Sequence, residues 1–199
     1  MKSLANLISY LLHPIFLFTY LYLAYWWLFP YPLSVSVQGI AFITGIVFFN
    51  TALLPVIFLL LGKRSLVTQN LSERRTTILV VTVVYTLSYF FFPQQFLPEY
   101  LKWVLISIIL GMIIAFVVSL RFKISLHASG WGGFVAVFLY LLLTYGNVFY
   151  YPFIAVVLLG GLVGFSRLYL NAHTNTELYS GYLSGFIVTA LVLFNAPNL

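Results

Sequence analysis

Seven apolar runs, each near the length that takes an α-helix across a bilayer, fill almost the whole chain: about residues 4–29, 37–62, 76–92, 100–121, 130–146, 149–168 and 178–195. A hydrocarbon core about 30 Å thick is crossed by roughly 20 apolar residues in helical form. A chain of 199 residues therefore holds about six or seven such helices and little else. The run at 76–92 carries the weakest signal. With 63% of residues hydrophobic and 6% charged, too few solvating side chains exist to coat a water-soluble globule. The runs are continuous rather than alternating, which argues against a transmembrane barrel. The expected fold class is all-α, a polytopic membrane helical bundle.

The first run is too long for a signal-peptide core and has no small-residue cleavage site, so it is read as part of the mature protein. No repeat, low-complexity tail or long linker divides the chain, and residues 1–199 are expected to form a single domain. Pro30 and Pro32 end the first run, and Pro93 and Pro98 bracket a loop. Trp26, Trp27, Trp103 and Trp131 lie near predicted ends, where amphipathic rings favour the interface. Gly160 and Gly164, then Gly181 and Gly185, recur at a spacing of four that allows close helix contact. Cysteine is absent, which removes thiolate metal sites, disulfides and cysteine nucleophiles.

Counted alternately across the runs, the N-terminus, the 63–75 loop, the 121–130 junction and the 166–177 junction share one side of the membrane. Lys2, Lys63, Arg64, Arg74, Arg75, Arg121, Lys123 and Arg167 fall there with Glu73 and Glu177, leaving only Glu99 and Lys102 opposite. The net charge of +6 is thus a matter of topology rather than of nucleic-acid binding. By itself the positive-inside rule would put that side in the cytoplasm. His127 and His173 fall on it too, and ionisable groups at membrane depth are functional candidates by default.

Ser166-Arg167, His173 and Glu177 form the denser of two constellations. In a helix running into the last span, His173 and Glu177 would stand at i and i+4. The carboxylate would then take the proton of one imidazole nitrogen and leave the other as nucleophile or base. Ser180 and Ser184 would continue that face as a polar stripe into the bundle. Arg167 offers a planar donor array suited to phosphate oxygens, and Ser166 adds a hydroxyl. The plainer reading of the same residues is an interhelical polar clamp. In the second constellation, Lys123-Ile124-Ser125-Leu126-His127 precedes Gly130, Gly132 and Gly133. It sets a base, a hydroxyl and an imidazole at the start of a helix, where N–H groups and the dipole favour an anion. An ordinary polar helix start is the alternative there.

Together these residues resemble a family. Ser166-Arg167, five residues, His173, three residues, Glu177 resembles the third signature of the type 2 phosphatidic acid phosphatase superfamily, which is Ser-Arg, five residues, His, three residues, Asp. Ser125-Leu126-His127 is similar to the second, Pro-Ser-Gly-His. The resemblance covers roughly residues 63–195 and implies a helical membrane lipid phosphatase that needs no metal or other cofactor. Carried over by position, it makes His173 the nucleophile that becomes phosphohistidine, Glu177 its orienting acid, and His127 the general acid that protonates the departing alkoxide. It makes Ser125, Ser166 and Arg167 phosphate ligands, with Lys123 beside them. Ile124 and Leu126 stand where the signature has Pro and Gly, and Glu177 where it has Asp. The first signature, Lys, six residues, Arg-Pro, does not occur at that spacing. Its candidates are Lys63, Arg74 and Arg75, with Arg75 preferred and Thr76 in place of the proline. For that loop the alternative is a solvated or headgroup-facing charge run. His13, before Pro14 in the first run, falls outside every signature and reads as a polar packing residue.

Three functions of different class follow. One is hydrolysis of a lipid phosphate such as phosphatidate, phosphatidylglycerophosphate or a polyprenyl diphosphate. Another is a noncatalytic relative that binds anionic lipid or a partner. The third is bis-histidine haem ligation by His127 and His173, which leaves Ser166, Arg167 and Glu177 unexplained. The first is adopted, with a lipid phosphate as substrate, membrane lipids as surroundings and no nucleic acid. Glu73, Glu99 and Glu177 are the only acids, too few for the oxygen-rich cage of a two-metal site. The resemblance implies an active side outside the cytoplasm, by default of a bacterial inner membrane, against the vote of the cations.

Overall fold

A computed structural model describes residues 2–29, 36–62, 71–91 and 97–197. Lys63, Arg64, the break at 30–32 and Pro93 lie outside the described residues. Those residues form nine α-helical segments and no strand. Helix is the outcome expected in hydrocarbon, because it satisfies every backbone N–H and C=O within one segment. In chain order they are α1 (Lys2–Leu11), α2 (Leu17–Leu28), α3 (Val37–Phe48), α4 (Leu54–Leu61), α5 (Leu71–Phe91), α6 (Glu99–Ser119), α7 (Leu126–Tyr145), α8 (Tyr150–Tyr169) and α9 (Asn175–Phe194).

Among the described residues, five apolar segments are long enough to cross a membrane: Lys2–Leu28, Val37–Leu61, Glu99–Ser119, Leu126–Tyr169 and Asn175–Phe194. The chain is an integral membrane protein. The count differs from the expected six or seven for two reasons. Residues 126–169 are one apolar stretch of 44 residues that contains the helix pair α7 and α8, turned at Gly146 with φ 75°. Gly160 of α8 faces Trp131 of α7, as a hairpin folded at 146 requires. The other reason is α5, whose first turns carry Glu73, Arg74 and Arg75 and dilute its apolar length.

Two spans are interrupted by proline, and each interruption is repaired by a side chain from another segment. Pro14 cannot continue α1, and the chain passes through His13 into a short 3-10 turn, Pro14–Phe16. The carbonyls left over at the end of α1 are taken by Tyr20 Oη, which donates to Leu11 O at 2.7 Å, and by Trp131 Nε1, which donates to Leu12 O at 2.9 Å. Pro55 has no N–H for the carbonyl of Thr51, and a π turn over Phe49–Leu53 joins α3 to α4 there. Tyr85 Oη on α5 donates to Thr51 O at 2.9 Å and fills the gap.

Helix α7 is central, packing against α9, α8, α6 and α2. It meets α9 through backbone contact: a Cβ on Gly181 would lie 2.6 Å from Ser125 O, and one on Gly185 or Gly132 would run into the carbonyl of Ser129 or Tyr182. The buried face of α9 is Leu178, Gly181, Gly185, Thr189 and Leu193. Outward faces are apolar, with Leu158, Leu183 and Leu191 each more than half exposed, as suits contact with lipid rather than water.

Candidate active site

The three charged junctions meet at one end of this bundle. Ser125 N donates to Glu177 O at 2.9 Å, which fixes the start of α7 against the first turn of α9. Arg74 Nη2 on α5 donates to Ile124 O. Lys123 Nζ donates to Ala172 O at 3.1 Å and stands 3.8 Å from Glu177 Oε2. The ion pair of Glu99 and Lys102, at 2.9 Å, belongs to the start of α6, and it is the far end of that helix, Ser119–Leu120, that reaches the charged junctions. Contact thus brings Arg74, Arg75, Lys123 and Glu177, four of the charges grouped by counting spans, to one end.

Between the helices at that end opens a cavity of about 170 Å³. Its polar wall is His13, Arg74, His127, Arg167 and His173, drawn from five separate parts of the chain. Its deeper wall is mostly apolar and includes Leu21, Tyr85, Val104 and Val137. From Arg74 to Tyr85 on α5, at 1.5 Å per residue, the lining reaches about 16 Å into the bundle. A polar mouth over an apolar shaft suits an amphiphile.

His173 and Glu177 are paired, but not by the helical stacking the spacing suggests. His173 lies in the turn before α9, whose N-cap is Thr174. Thr174 Oγ1 accepts from Glu177 N and Glu177 Oε2 accepts from Thr174 N, both at 3.3 Å, a capping box that holds the carboxylate back over the helix start. There it accepts the Nδ1 proton of His173 at 2.9 Å. With Nδ1 as donor, Nε2 keeps the lone pair of the neutral ring. Burial holds this imidazole below the usual 6.5, at about 4; the bond to Glu177 opposes that shift, and the charges of Arg74, Lys123 and Arg167 reinforce it. His173 is thus neutral at physiological pH, the form that has a lone pair to give.

His127 sits in the first turn of α7, 6% exposed, and its Nε2 is 3.3 Å from Ser9 O. A carbonyl only accepts, so Nε2 carries hydrogen and Nδ1 is the nitrogen that can gain or lose a proton. Arg167 is 5% exposed at the end of α8, and Arg74 is 6% exposed; among the described residues the Nε of each is buried without a hydrogen-bond partner. Buried donors of this kind are seldom left unpaired, and no carboxylate lines the cavity to pair them. An anion of the size of phosphate would supply the missing acceptors.

The other sequence candidates among the described residues stand outside the cavity lining. Ser125 Oγ caps α7 by accepting from Ala128 N at 3.3 Å, and Ser166 Oγ donates within its own helix to Leu162 O at 2.8 Å. Lys123 braces Ala172 and Glu177. Arg75, preferred over Arg74 in the sequence, turns to the end of α6, where its Nε and Nη2 donate to Ser119 O and Leu120 O at 2.9 Å each. Arg74 is the one that lines the cavity. The inward stripe of α9 is made of Gly181, Gly185 and Thr189 rather than Ser180 and Ser184. His13, read as a packing residue, stands on the cavity wall, its ring edge-to-face with His127 at 4.5 Å. The signal for it was present: a histidine before a proline within a membrane-length apolar run marks a polar break where hydrocarbon should be.

The fold and this site define an integral membrane helical bundle with a histidine- and arginine-lined cavity at one end. No protein-family model, curated protein or solved structure matches the chain.

Proposed function

We propose that the protein is a membrane phosphatase of the type 2 phosphatidic acid phosphatase kind, hydrolysing a phosphorylated lipid through a phosphohistidine. The observation that carries the reading is the union, on one cavity, of a carboxylate-oriented neutral histidine, a second histidine and two buried guanidinium groups with unpaired N–H.

In this mechanism Arg74 and Arg167 hold the equatorial phosphate oxygens. The Nε2 lone pair of His173 attacks phosphorus, forming a P–N bond as the P–O bond to the lipid breaks. Glu177 stabilises the ring as it becomes positive. His127, protonated at Nδ1, gives that proton to the leaving alkoxide and becomes neutral. Water then attacks the phosphohistidine and loses a proton to the same Nδ1, releasing inorganic phosphate and restoring both histidines. The apolar shaft below the histidines takes the lipid's hydrocarbon.

Phosphate release from phosphatidate, phosphatidylglycerophosphate and a polyprenyl diphosphate by purified protein tests this directly, with and without EDTA. Activity on at least one, unaffected by chelation, is expected; loss in EDTA restored by a divalent ion would overturn the mechanism. His173→Ala should abolish turnover and acid-labile phosphoenzyme alike. His127→Ala should recover in part on a nitrophenyl phosphate, whose leaving group needs no proton, because general-acid help worth about 10²–10⁴-fold becomes dispensable there. The noncatalytic reading is favoured by one observation, that Ser125 and Ser166 stand outside the cavity lining, with the Ser166 hydroxyl donating within its own helix; phosphate binding without any turnover would establish it. A haem bridging His127 and His173 would leave Arg74, Arg167 and the His173–Glu177 pair without a role, and a visible absorption spectrum checks that reading.

A further inference from the structure

The N-terminal segment contributes to the cavity although no signature residue lies in it. Helix α1 stops at Leu11, and His13 becomes the N-cap of the turn that follows, its Nδ1 accepting the Ile15 N–H at 3.2 Å. That bond decides the state of the ring. With the Nδ1 lone pair occupied, the neutral imidazole carries its hydrogen on Nε2, and a second proton could bind only by giving up the cap. Arg74, Arg167 and His173 share the same wall, so a second charged imidazole would also add a cation to a cationic cavity. His13 is 8% exposed, and its ring meets that of His127 at a centroid distance of 4.5 Å and an interplanar angle of 81°. The same segment holds His127 a second time, through Ser9 O on Nε2 at 3.3 Å.

We propose that His13 is a positioning residue for proton transfer: its ring fixes the plane of His127, so that Nδ1 of His127 is aimed at the leaving oxygen. Because the cap keeps His13 neutral, the transferable proton of the pair belongs to His127 alone. The inference rests on the phosphatase reading and adds to it a residue from outside the three signatures.

The test compares turnover on phosphatidate in detergent micelles with turnover on a nitrophenyl phosphate, and reads the ratio of the two, which does not depend on how much of a variant is folded. His13→Asn keeps a side-chain acceptor for Ile15 N–H but removes the ring. Its ratio should fall roughly 10-fold or more, since misplacing a catalytic group is felt only where its proton is needed. In His13→Phe the ring edge is retained and the cap is lost, and the ratio should stay within about threefold of the parent. An unchanged ratio in His13→Asn would reduce His13 to a helix cap and overturn the proposal. So would an equal fall in both variants, because the ring would then not be the cause. A parent protein that releases no phosphate from either substrate defeats the phosphatase reading itself, and this inference with it.

Discussion

At the scale of single residues, direction matters more than identity. Arg74 and Arg75 are adjacent and carry the same group, yet successive residues on a helix point about 100° apart. Arg74 therefore lines the cavity while Arg75 closes the end of α6. Arg74→Ala should lower phosphatase turnover by roughly 10- to 100-fold, the worth of a charge-assisted hydrogen bond, whereas Arg75→Ala should act mainly on thermal stability. Steady-state rates and melting in detergent on the two variants separate these effects; a larger rate loss in Arg75→Ala would reverse the assignment. His173 makes a second prediction. Its folded value near 4 lies below the 6.5 of the unfolded chain, so between those values the unfolded state binds more protons. Its contribution to stability is complete above pH 6.5 and is lost as pH falls toward 4. Melting midpoints across that window should drop less steeply in His173→Asn than in the parent, and parallel slopes would contradict the buried neutral ring.

At the scale of elements, the glycine spacing was visible in the sequence, but its weight was not. Gly160 and Gly164 show the same interval as Gly181 and Gly185, yet a Cβ at the first two would meet neighbours at 3.5 and 3.4 Å, ordinary contact. At Gly185 it would collide with the Ser129 backbone, which belongs to α7 and cannot swing aside. Gly185→Ala should destabilise by about 1–3 kcal/mol through overpacking. Gly161→Ala, where nothing lies within 4 Å, should be neutral or stabilising by less than about 1 kcal/mol. Denaturation of both variants in the same detergent checks the contrast. The i, i+4 interval of His173 and Glu177 was equally visible, but it is realised by a capping box at a helix start, because Thr174 is a better N-cap than helix interior.

At the scale of the whole molecule, the gathering of cations at one end poses a question of orientation. The positive-inside rule sends that end to the cytoplasm, whereas a phosphatase of the proposed kind works from the other compartment. Arg74 and Arg167 are buried on the cavity wall, so under the proposed function their charges would serve the substrate as well as topology. The expected outcome is an extracytoplasmic active end. The chain has no cysteine, so Thr176→Cys, exposed in the first turn of α9, gives a single label site. Reaction with an impermeant maleimide in intact cells supports that orientation, and protection until lysis reverses it.

What the sequence determined by itself was set by local quantities. Length and apolarity of each run sufficed for an all-helical membrane bundle, since hydrocarbon leaves the backbone no other partner than itself. Alternation of the runs sufficed to expect the charged junctions on a common side, and the intervals around His127 and His173 sufficed to bring both forward as candidates. Tertiary structure alone decided which candidates meet. Arg74 rather than Arg75, the glycine face of α9 rather than its serines, and His13 against His127 all depend on how helices distant in the chain are rotated about their axes. That rotation is fixed by contacts between whole faces, α7 against α9 above all, and no short interval of residues encodes it.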